Sequence, residues 1–296
     1  MIDYYERVGL AIDFIERHLT DPIQVADVAK AAFSSQWHFQ RVFRYLAGCS
    51  VAEYLRNRRL SEAGYEILAS RAKIIDVALK YQYGAPETFT RAFRKNFGFN
   101  PLESRQANEI EFFSPINIHE DRYKDIHSSE RISEKTAVRG QMLVSGISRR
   151  VTMQDNQNER DIPEFWRSFH TKDIGSQIPN RKTERTLLGV YTEWDYDEGF
   201  RLTVGAEVTK EPGSPSETSS GDQTEWSSVV IPPQKYVVFT VQGAGIGDLL
   251  AGWKYIYGTW LPRTKRERAP GFDFDLFDER FDGSEKSLSD IYIPVG

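Results

Sequence analysis

The chain has 296 residues, 40% hydrophobic and 27% charged, enough for two domains with buried cores and ordinary for a globular protein. No run of 18 apolar residues is present, the acidic start Met1–Glu6 lacks the regions of a signal peptide, and the single Cys49 excludes an internal disulfide, so a cytoplasmic protein without a membrane partner is expected. Net charge is −5, yet residues 1–105 carry 15 basic and 12 acidic side chains against 23 and 31 in residues 106–296, so the first part can approach phosphate and the second should face away from it.

Residues 1–105 read as helices. Tyr5, Val8, Ile12, Ile15 and Leu19 recur at helical spacing. Thr20-Asp21-Pro22 starts a new segment, where Pro fits a first turn, and Val25, Val28 and Ala29 form its apolar face. Ser34-Ser35 is expected to cap a helix from Gln36 to Leu46, which Gly48 ends. A long helix from Val51 to Ser70 buries Tyr54, Leu55, Leu60, Ala63, Ile67 and Leu68. A further unit runs from Ile74 to Gly98, and Asn100-Pro101 closes the domain.

These two units repeat one string. Phe39-Gln40-Arg41-Val42-Phe43-Arg44 is matched by Phe89-Thr90-Arg91-Ala92-Phe93-Arg94. Asp27-Val28-Ala29 answers Asp76-Val77-Ala78, with one extra residue before the Phe of the second copy, and Gly48 answers Gly98. A shared spacing of apolar, basic and Gly positions means one supersecondary unit used twice. Helix, tight turn, basic helix and Gly stop is how a chain builds a major-groove reader, so a tandem pair touching two successive grooves of double-stranded DNA is expected.

Residues 106–135 are polar and mixed in pattern, a linker with one strand from Ile110 to Phe113. The remainder, 136–296, alternates in period two around two helices. Strands are expected at Met142 to Met153, Thr186 to Glu193, Arg201 to Lys210, Tyr236 to Gln242, Phe272 to Phe281 and Asp290 to Val295. Helices fall at Pro163 to His170 and Gly247 to Leu261, and Glu211 to Asp222 is a Pro-, Gly- and Ser-rich loop. Strand, helix and hairpin occur twice, so the fold class is an all-α tandem helix-turn-helix domain followed by an α+β domain of two pseudo-equivalent halves.

On the first reading helix Trp37, Gln40, Arg41 and Arg44 share one face, opposite Phe39, Val42, Phe43 and Leu46. Arg41 suits guanine, Gln40 suits adenine, and Trp37 suits a thymine methyl or the sugar backbone. The second helix offers Glu87, Thr88, Thr90, Arg91 and Arg94 over Phe89, Ala92, Phe93 and Phe97. Glu87 can accept only from cytosine, and Pro86 removes a backbone N–H that could bind phosphate.

Residues 1–105 resemble the AraC/XylS family DNA-binding domain over its full length. Trp37-His38-Phe39-Gln40-Arg41-Val42-Phe43 and Arg58-Arg59-Leu60-Ser61-Glu62-Ala63 fit its first half; Asp76-Val77-Ala78, Phe89-Thr90-Arg91-Ala92-Phe93 and Phe97-Gly98-Phe99-Asn100-Pro101 fit its second. Trp37, Gln40 and Arg41 look closest to the branch whose members bind DNA as monomers and activate transcription by contacting RNA polymerase, which implies those partners here.

In the strands of the second domain, one side is apolar and is expected to cover the helices: Leu188, Val190, Leu202, Val204, Ala206, Val208, Phe272, Phe274, Leu276, Ile291, Ile293 and Val295. The alternate side carries Tyr191, Glu193, Thr203, Glu207, Asp273, Asp275, Phe277 and Tyr292. A concave surface of rings and carboxylates suits an organic cation; an ordinary solvated acidic face reads the same pattern equally well. Residues from about 120 to 296 resemble a GyrI-like effector-binding domain, on Ile162-Pro163-Glu164-Phe165-Trp166, on Trp253 with Trp260-Leu261-Pro262, and on Asp290-Ile291-Tyr292-Ile293-Pro294-Val295. That resemblance implies binding of small amphipathic molecules between the halves, with Asp275 where many members carry Glu, two residues before Phe277; together with Tyr191, Glu193 and Tyr292 of the alternate strand side they form the expected effector site.

The expected function is a sequence-specific transcription regulator that senses a small amphipathic or cationic effector. Two alternatives stay open for the second domain: a small-molecule hydrolase in which Glu193 and Asp275 activate water, and a ligand-free protein-interaction module. No Ser/His or Cys/His nucleophile pair is visible, so no enzyme is expected. No cofactor is expected, and His18, His38, His119, His127 and His170 lack metal-ligand spacing. Trp194, Trp226 and Trp253 read as groove or packing residues, with core packing favoured for Trp253 and Trp260, and Cys49 reads as a turn residue.

Overall fold

A computed structural model describes residues 3–34, 36–70, 72–106, 111–118, 131–153, 157–195, 199–211, 226–264, 266 and 268–296, with backbone only at 36–38, 105, 106 and 195. The chain divides into two units, Met1–Arg122 and Tyr123–Gly296.

The first unit holds α1 (Tyr4–Arg17), α2 (Val25–Ala31), α3 (Gln36–Ala47), α4 (Val51–Ala69), α5 (Ile74–Lys80) and α6 (Pro86–Phe97). Local chemistry sets their ends. Asp3 accepts from the Glu6 amide to cap α1, and Ser50 with Glu53 forms a reciprocal capping box on α4. Ser35 lies outside the described residues, and the Ser34 hydroxyl donates to Ala32 O rather than capping α3. Gly48 (φ 77°) and Gly98 (φ 85°) leave α3 and α6 in the left-handed region. Leu68, expected in the core, is 42% exposed near the end of α4.

The repeat extends from spacing to backbone conformation. Phe33 and Gln82, each six residues past the matched Asp, both take positive φ (50° and 68°) in the turn between helices. The Asn100 amide donates to Glu103, as the Ser50 amide donates to Glu53, so the capping arrangement recurs fifty positions on. The extra residue of the second copy therefore falls between Gln82 and Phe89.

The segment expected to be a linker is partly a piece of this unit. Residues 111–118 contain no strand, and Phe112 and Phe113 pack back onto α4. Packing of both Phe residues against α4 outweighs the polar composition around them.

The second unit is one eight-stranded antiparallel sheet in the order β1-β6-β8-β7-β3-β4-β2-β5. Its strands are β1 (Ile132–Arg139), β2 (Met142–Val151), β3 (Leu187–Asp195), β4 (Gly199–Glu207), β5 (Ser227–Ile231), β6 (Gln234–Gln242), β7 (Asp273–Phe277) and β8 (Leu288–Pro294). Helices α7 (Asn158–Thr171) and α8 (Ile174–Gln177) follow β2, and α9 (Ile246–Tyr255) follows β6, running through a π-turn at Ile256–Trp260 into α10 (Leu261–Arg263). The halves β2-α7-β3-β4 and β6-α9-β7-β8 meet at the β3–β7 pair, Gly189 opposite Asp275.

Two strands had no reading in the sequence. β1 covers the outer edge of β6 and β5 covers β2, so each half lends its leading strand to the other and shields its edge. The loop residues 212–222 lie outside the described residues. α7 begins five residues before Pro163, which is inside the helix rather than at its start.

Register overturns the expected division of sheet faces. Tyr191 pairs with Leu202, and Phe274 pairs with Tyr292, so Leu202 shares a face with Tyr191 while Tyr292 lies on the other. Trp253 and Tyr257 reach Asp275 and Asp273 from the α9 segment, so the carboxylate side is the one covered by helices. The opposite side is a second buried cluster: Met142, Val144, Leu188, Val190, Ile231, Tyr236, Val238, Phe274, Leu276 and Tyr292. With both faces buried, alternation of side chains cannot say which one the helices cover.

Candidate nucleic-acid interface and effector site

Each reading helix is anchored by a phenylalanine pair. Phe39 and Phe43 tilt at 5.6 Å and 55°, Phe89 and Phe93 at 5.6 Å and 52°, and all four are fully buried. Burying each such ring contributes about 1.5–3 kcal/mol, which fixes the roll of the helix and hence its outward face.

The outward faces differ. On α6, Glu87, Thr88, Arg91 and Arg94 are exposed and Thr90 is half-buried. Glu87 stands in the first turn, where its charge complements the helix dipole. On α3, Arg41 and Arg44 are only 7% and 8% exposed and Gln40 is half-buried. The expected free polar face is therefore corrected for both arginines. For Arg44 the cause is α4, which packs on α3 as well as following it. Its capping residue Glu53 ion-pairs Arg44 at 3.3 Å while also accepting from the Ser50 amide at 2.6 Å. The Trp37 side chain lies outside what is described. Arg41 and Arg91 match in sequence but not in exposure.

Behind these helices Arg58, 3% exposed, is a hub. It is forked on Glu16 at 2.9 Å, paired with Glu62 at 2.6 Å, and donates to Phe113 O at 2.6 Å. Arg59 donates to the Leu19 and Asp21 carbonyls, which ties α4 to the α1–α2 turn. Burial pushes the Cys49 thiol up to about 12, with the Glu53 charge adding to it.

In the sheet unit, Asp275 is fully buried at the middle of β7. It accepts from Tyr191 OH at 2.5 Å and from Trp253 Nε1 at 2.9 Å. Tyr191 meets Trp253 edge-on at 5.1 Å. Trp166, on α7, lies over Gly189, where a Cβ would come 3.1 Å from the indole and 3.4 Å from the Asp275 carboxylate. Phe277 closes that side, 4.8 Å from Trp166. A glycine opposite Asp275 is what lets an indole lie against the carboxylate. The sequence does not assign Trp166 to this site, and it reads Trp253 as a groove or packing residue with core packing favoured.

Three of the expected effector residues thus gather here: Tyr191, Asp275 and Phe277. Two do not. Glu193 is on the surface at the β3 bulge (φ 46°), held by Arg201 at 2.7 Å, and four residues along β3 from Gly189, about 13 Å away. Tyr292 is on the opposite sheet face, stacked on Phe274 at 4.3 Å with the Arg139 guanidinium over its ring at 5.0 Å. This separation gives no support to a Glu193–Asp275 pair activating water. Asp273 is committed elsewhere, to Arg268 at 2.7 Å and Tyr257 at 2.8 Å; burial opposes the Arg268 charge, and Asp273 and Tyr257 outweigh it and raise its pKa.

Trp194 packs on Phe200 at 4.3 Å and Trp260 on Phe239 at 4.8 Å. Among the described residues no cluster of His, Cys, Asp or Glu can hold a metal ion, and no helix is long and apolar enough to cross a membrane.

Comparison with known proteins bears on both units. Residues 139–295 match the family described as integron-associated effector binding protein, and residues 28–107 match a helix-turn-helix domain. Transcriptional regulator Rob of Salmonella typhimurium is 26% identical over 279 residues, spanning 89% of this chain and 87% of Rob. The HTH-type transcriptional activator AarP of Providencia stuartii is 38% identical over 88 residues, 30% of this chain and 65% of AarP. Among solved structures, SAV2435 bound to tetraphenylphosphonium is similar over 55% of this chain and 94% of its own, at 16% identity and a TM-score of 0.44. The helical unit is the DNA-binding domain of an AraC-type transcriptional regulator homologous to Rob. With more than half of its length matched, the chain belongs to the integron-associated effector-binding protein family, its sheet domain of GyrI-like type following that helix-turn-helix domain.

Proposed function

We propose that this regulator binds duplex DNA as a monomer, activates transcription through RNA polymerase, and receives a small amphipathic cation at Asp275. Exposed Arg91 and Arg94 on α6 supply guanidinium groups for bases or phosphates, with Thr88 and Thr90 beside them. On α3 the contact falls to its first turns, to Trp37 and to Gln40, whose buried Nε2 must turn outward to reach a base, with Arg41 and Arg44 acting from behind to hold the helix. The single observation that carries the effector reading is a fully buried carboxylate walled by Tyr191, Trp253, Trp166 and Phe277 between α7 and α9. Ring faces and one carboxylate in a low-dielectric setting recognise an organic cation by charge and by cation–π attraction. Entry requires Tyr191 and Trp253 to release Asp275, at about 1.5–3 kcal/mol per hydrogen bond to the carboxylate, which the cation's charge must offset.

Calorimetry with tetraphenylphosphonium tests the site. The wild-type chain should bind it and Asp275→Asn should lose about tenfold or more, equivalent to about 1.4 kcal/mol. Equal affinity in both proteins would remove Asp275 from the effector site.

A further inference from the structure

Residues 111–116 join the two helix-turn-helix halves to one another from behind. Phe113 donates its amide to Ser61 Oγ at 3.0 Å and its carbonyl accepts from Arg58 at 2.6 Å, both on α4. Its ring meets Tyr54 edge-on at 5.6 Å, and Tyr54 meets Phe43 of α3 at 5.9 Å. The neighbouring Phe112 faces the other half. Its ring lies 4.2 Å from Tyr65 of α4 and 5.4 Å from Phe97 at the end of α6. Gly64 makes the notch: a Cβ there would come 2.3 Å from the Phe112 ring.

Two adjacent residues therefore carry contact chains to both reading helices, one through Tyr54 to α3 and one through Phe97 to α6. α4 connects the halves covalently, and among the described residues the helices that pack most extensively on α6 are α4 and α5. The strap adds a second connection, anchored by backbone hydrogen bonds to buried side chains of α4. We propose that Phe112 and Phe113 are positioning residues that lock the angle between α3 and α6, so that the two helices present themselves to DNA at one fixed separation. The strap touches no base; it acts through Tyr54, Tyr65 and Phe97. The proposal rests on the reading that both helices approach the duplex, and it predicts that the functional DNA-binding unit extends to about residue 116, well past the 105 at which the repeat ends.

The test uses the full chain with Cys49→Ser and spin labels at exposed Lys30 and Asn96, on α2 and α6. The parent should give one narrow interlabel distance without DNA. Gly64→Ala, which favours the α4 helix yet expels Phe112, should broaden it, as should Phe112→Ala; Phe112→Leu, which refills the notch, should restore it. An unchanged distribution in both disruptive variants overturns the clamp, whatever the protein does with DNA. In a second arm, duplexes selected from random sequence are trimmed to one half-site. The disruptive variants should lose about tenfold on the two-site duplex and nothing on the one-site duplex, because only the linked encounter depends on the angle. Equal loss on both duplexes, or broadening with no loss at all, overturns the positioning role. Failure of the parent to bind any duplex would instead strike the DNA reading and leave the distance measurement to decide the clamp.

Discussion

Trp253 Nε1 donates to Asp275 Oδ1 at 2.9 Å, tying the last turn of α9 to the central strand β7. An indole N–H on a buried carboxylate serves two ends: it satisfies the acceptor while the site is closed, and it leaves with α9 if the site opens. Trp253→Phe keeps most of the ring and removes the donor. The sheet unit should lose about 1.5–3 kcal/mol of stability, seen as a lower Tm for that unit. Cation binding should not weaken in proportion, since the cation would then meet a carboxylate with one donor fewer. Unchanged melting would show that the bond contributes little.

The two arginine pairs should separate by experiment. Arg91→Ala and Arg94→Ala remove exposed side chains and should leave stability unchanged while weakening DNA binding by about 1–3 kcal/mol at a base contact, or uniformly across sequences at a phosphate contact. Arg44→Ala should instead destabilise the helical unit, by about 1–3 kcal/mol, because buried Glu53 loses its cation. Thermal melts and fluorescence anisotropy measured on the same samples separate the two kinds of loss. Plotted against salt, wild-type affinity should follow a slope corresponding to roughly five to eight neutralised phosphates; a flat response would contradict a DNA-binding role for this face.

Phe33 sits at φ 50° with its side chain 68% exposed, so it is strained without gaining burial. Phe33→Gly should raise stability by about 1 kcal/mol, as Gly takes left-handed backbone at no steric cost. Gln82, at the matching position, should respond less favourably, because its amide also donates to Thr20 O at 2.5 Å. Chemical denaturation of both variants checks the contrast.

Cys49 should resist alkylation in the folded chain. Burial and the Glu53 charge push its thiol to about 12, so almost no thiolate exists near neutral pH. Iodoacetamide labelling followed by mass spectrometry should be slow in native conditions and fast in denaturant; rapid native labelling would show that the turn opens.

His170 should make the sheet unit weaker at acid pH. His170 is exposed overall, but partial desolvation of its ring, stacked on Trp166, lowers its pKa below the ordinary 6.5, so the unfolded chain binds the proton more readily. Its stabilising contribution is complete above 6.5 and is lost as pH falls through the depressed value. His170→Gln should flatten the fall in Tm between neutral and mildly acid buffer. An identical fall in both proteins would assign the acid sensitivity to other groups.

The helical repeat was legible because its determinants are local. Matching Asp, Phe, Arg and Gly positions predict two units, and the structure repeats them down to the positive φ of Phe33 and Gln82 and the Asn100–Glu103 cap. The sheet halves were legible as strand, helix and hairpin for the same reason. Strands β1 and β5 were not: as edge strands with one face toward solvent they carry little apolar alternation, and what makes them strands is the partner edge supplied by the other half. The strap escaped because Phe112 and Phe113 stand in a polar stretch, and only the Gly64 notch and the Arg58 hub give them a surface to bury against.

The sequence by itself determined the tandem helix-turn-helix units, the acidic two-halved sheet domain and the presence of a carboxylate at Asp275 two residues before Phe277, since periodicity, caps and spacing act within a few residues. Only the tertiary structure decided which side of the sheet the helices cover, which of the matched arginines stays in contact with solvent, and which indoles wall Asp275. Those outcomes depend on register between strands far apart in the chain and on which helix packs against which, and neither is fixed by the order of residues within any one element.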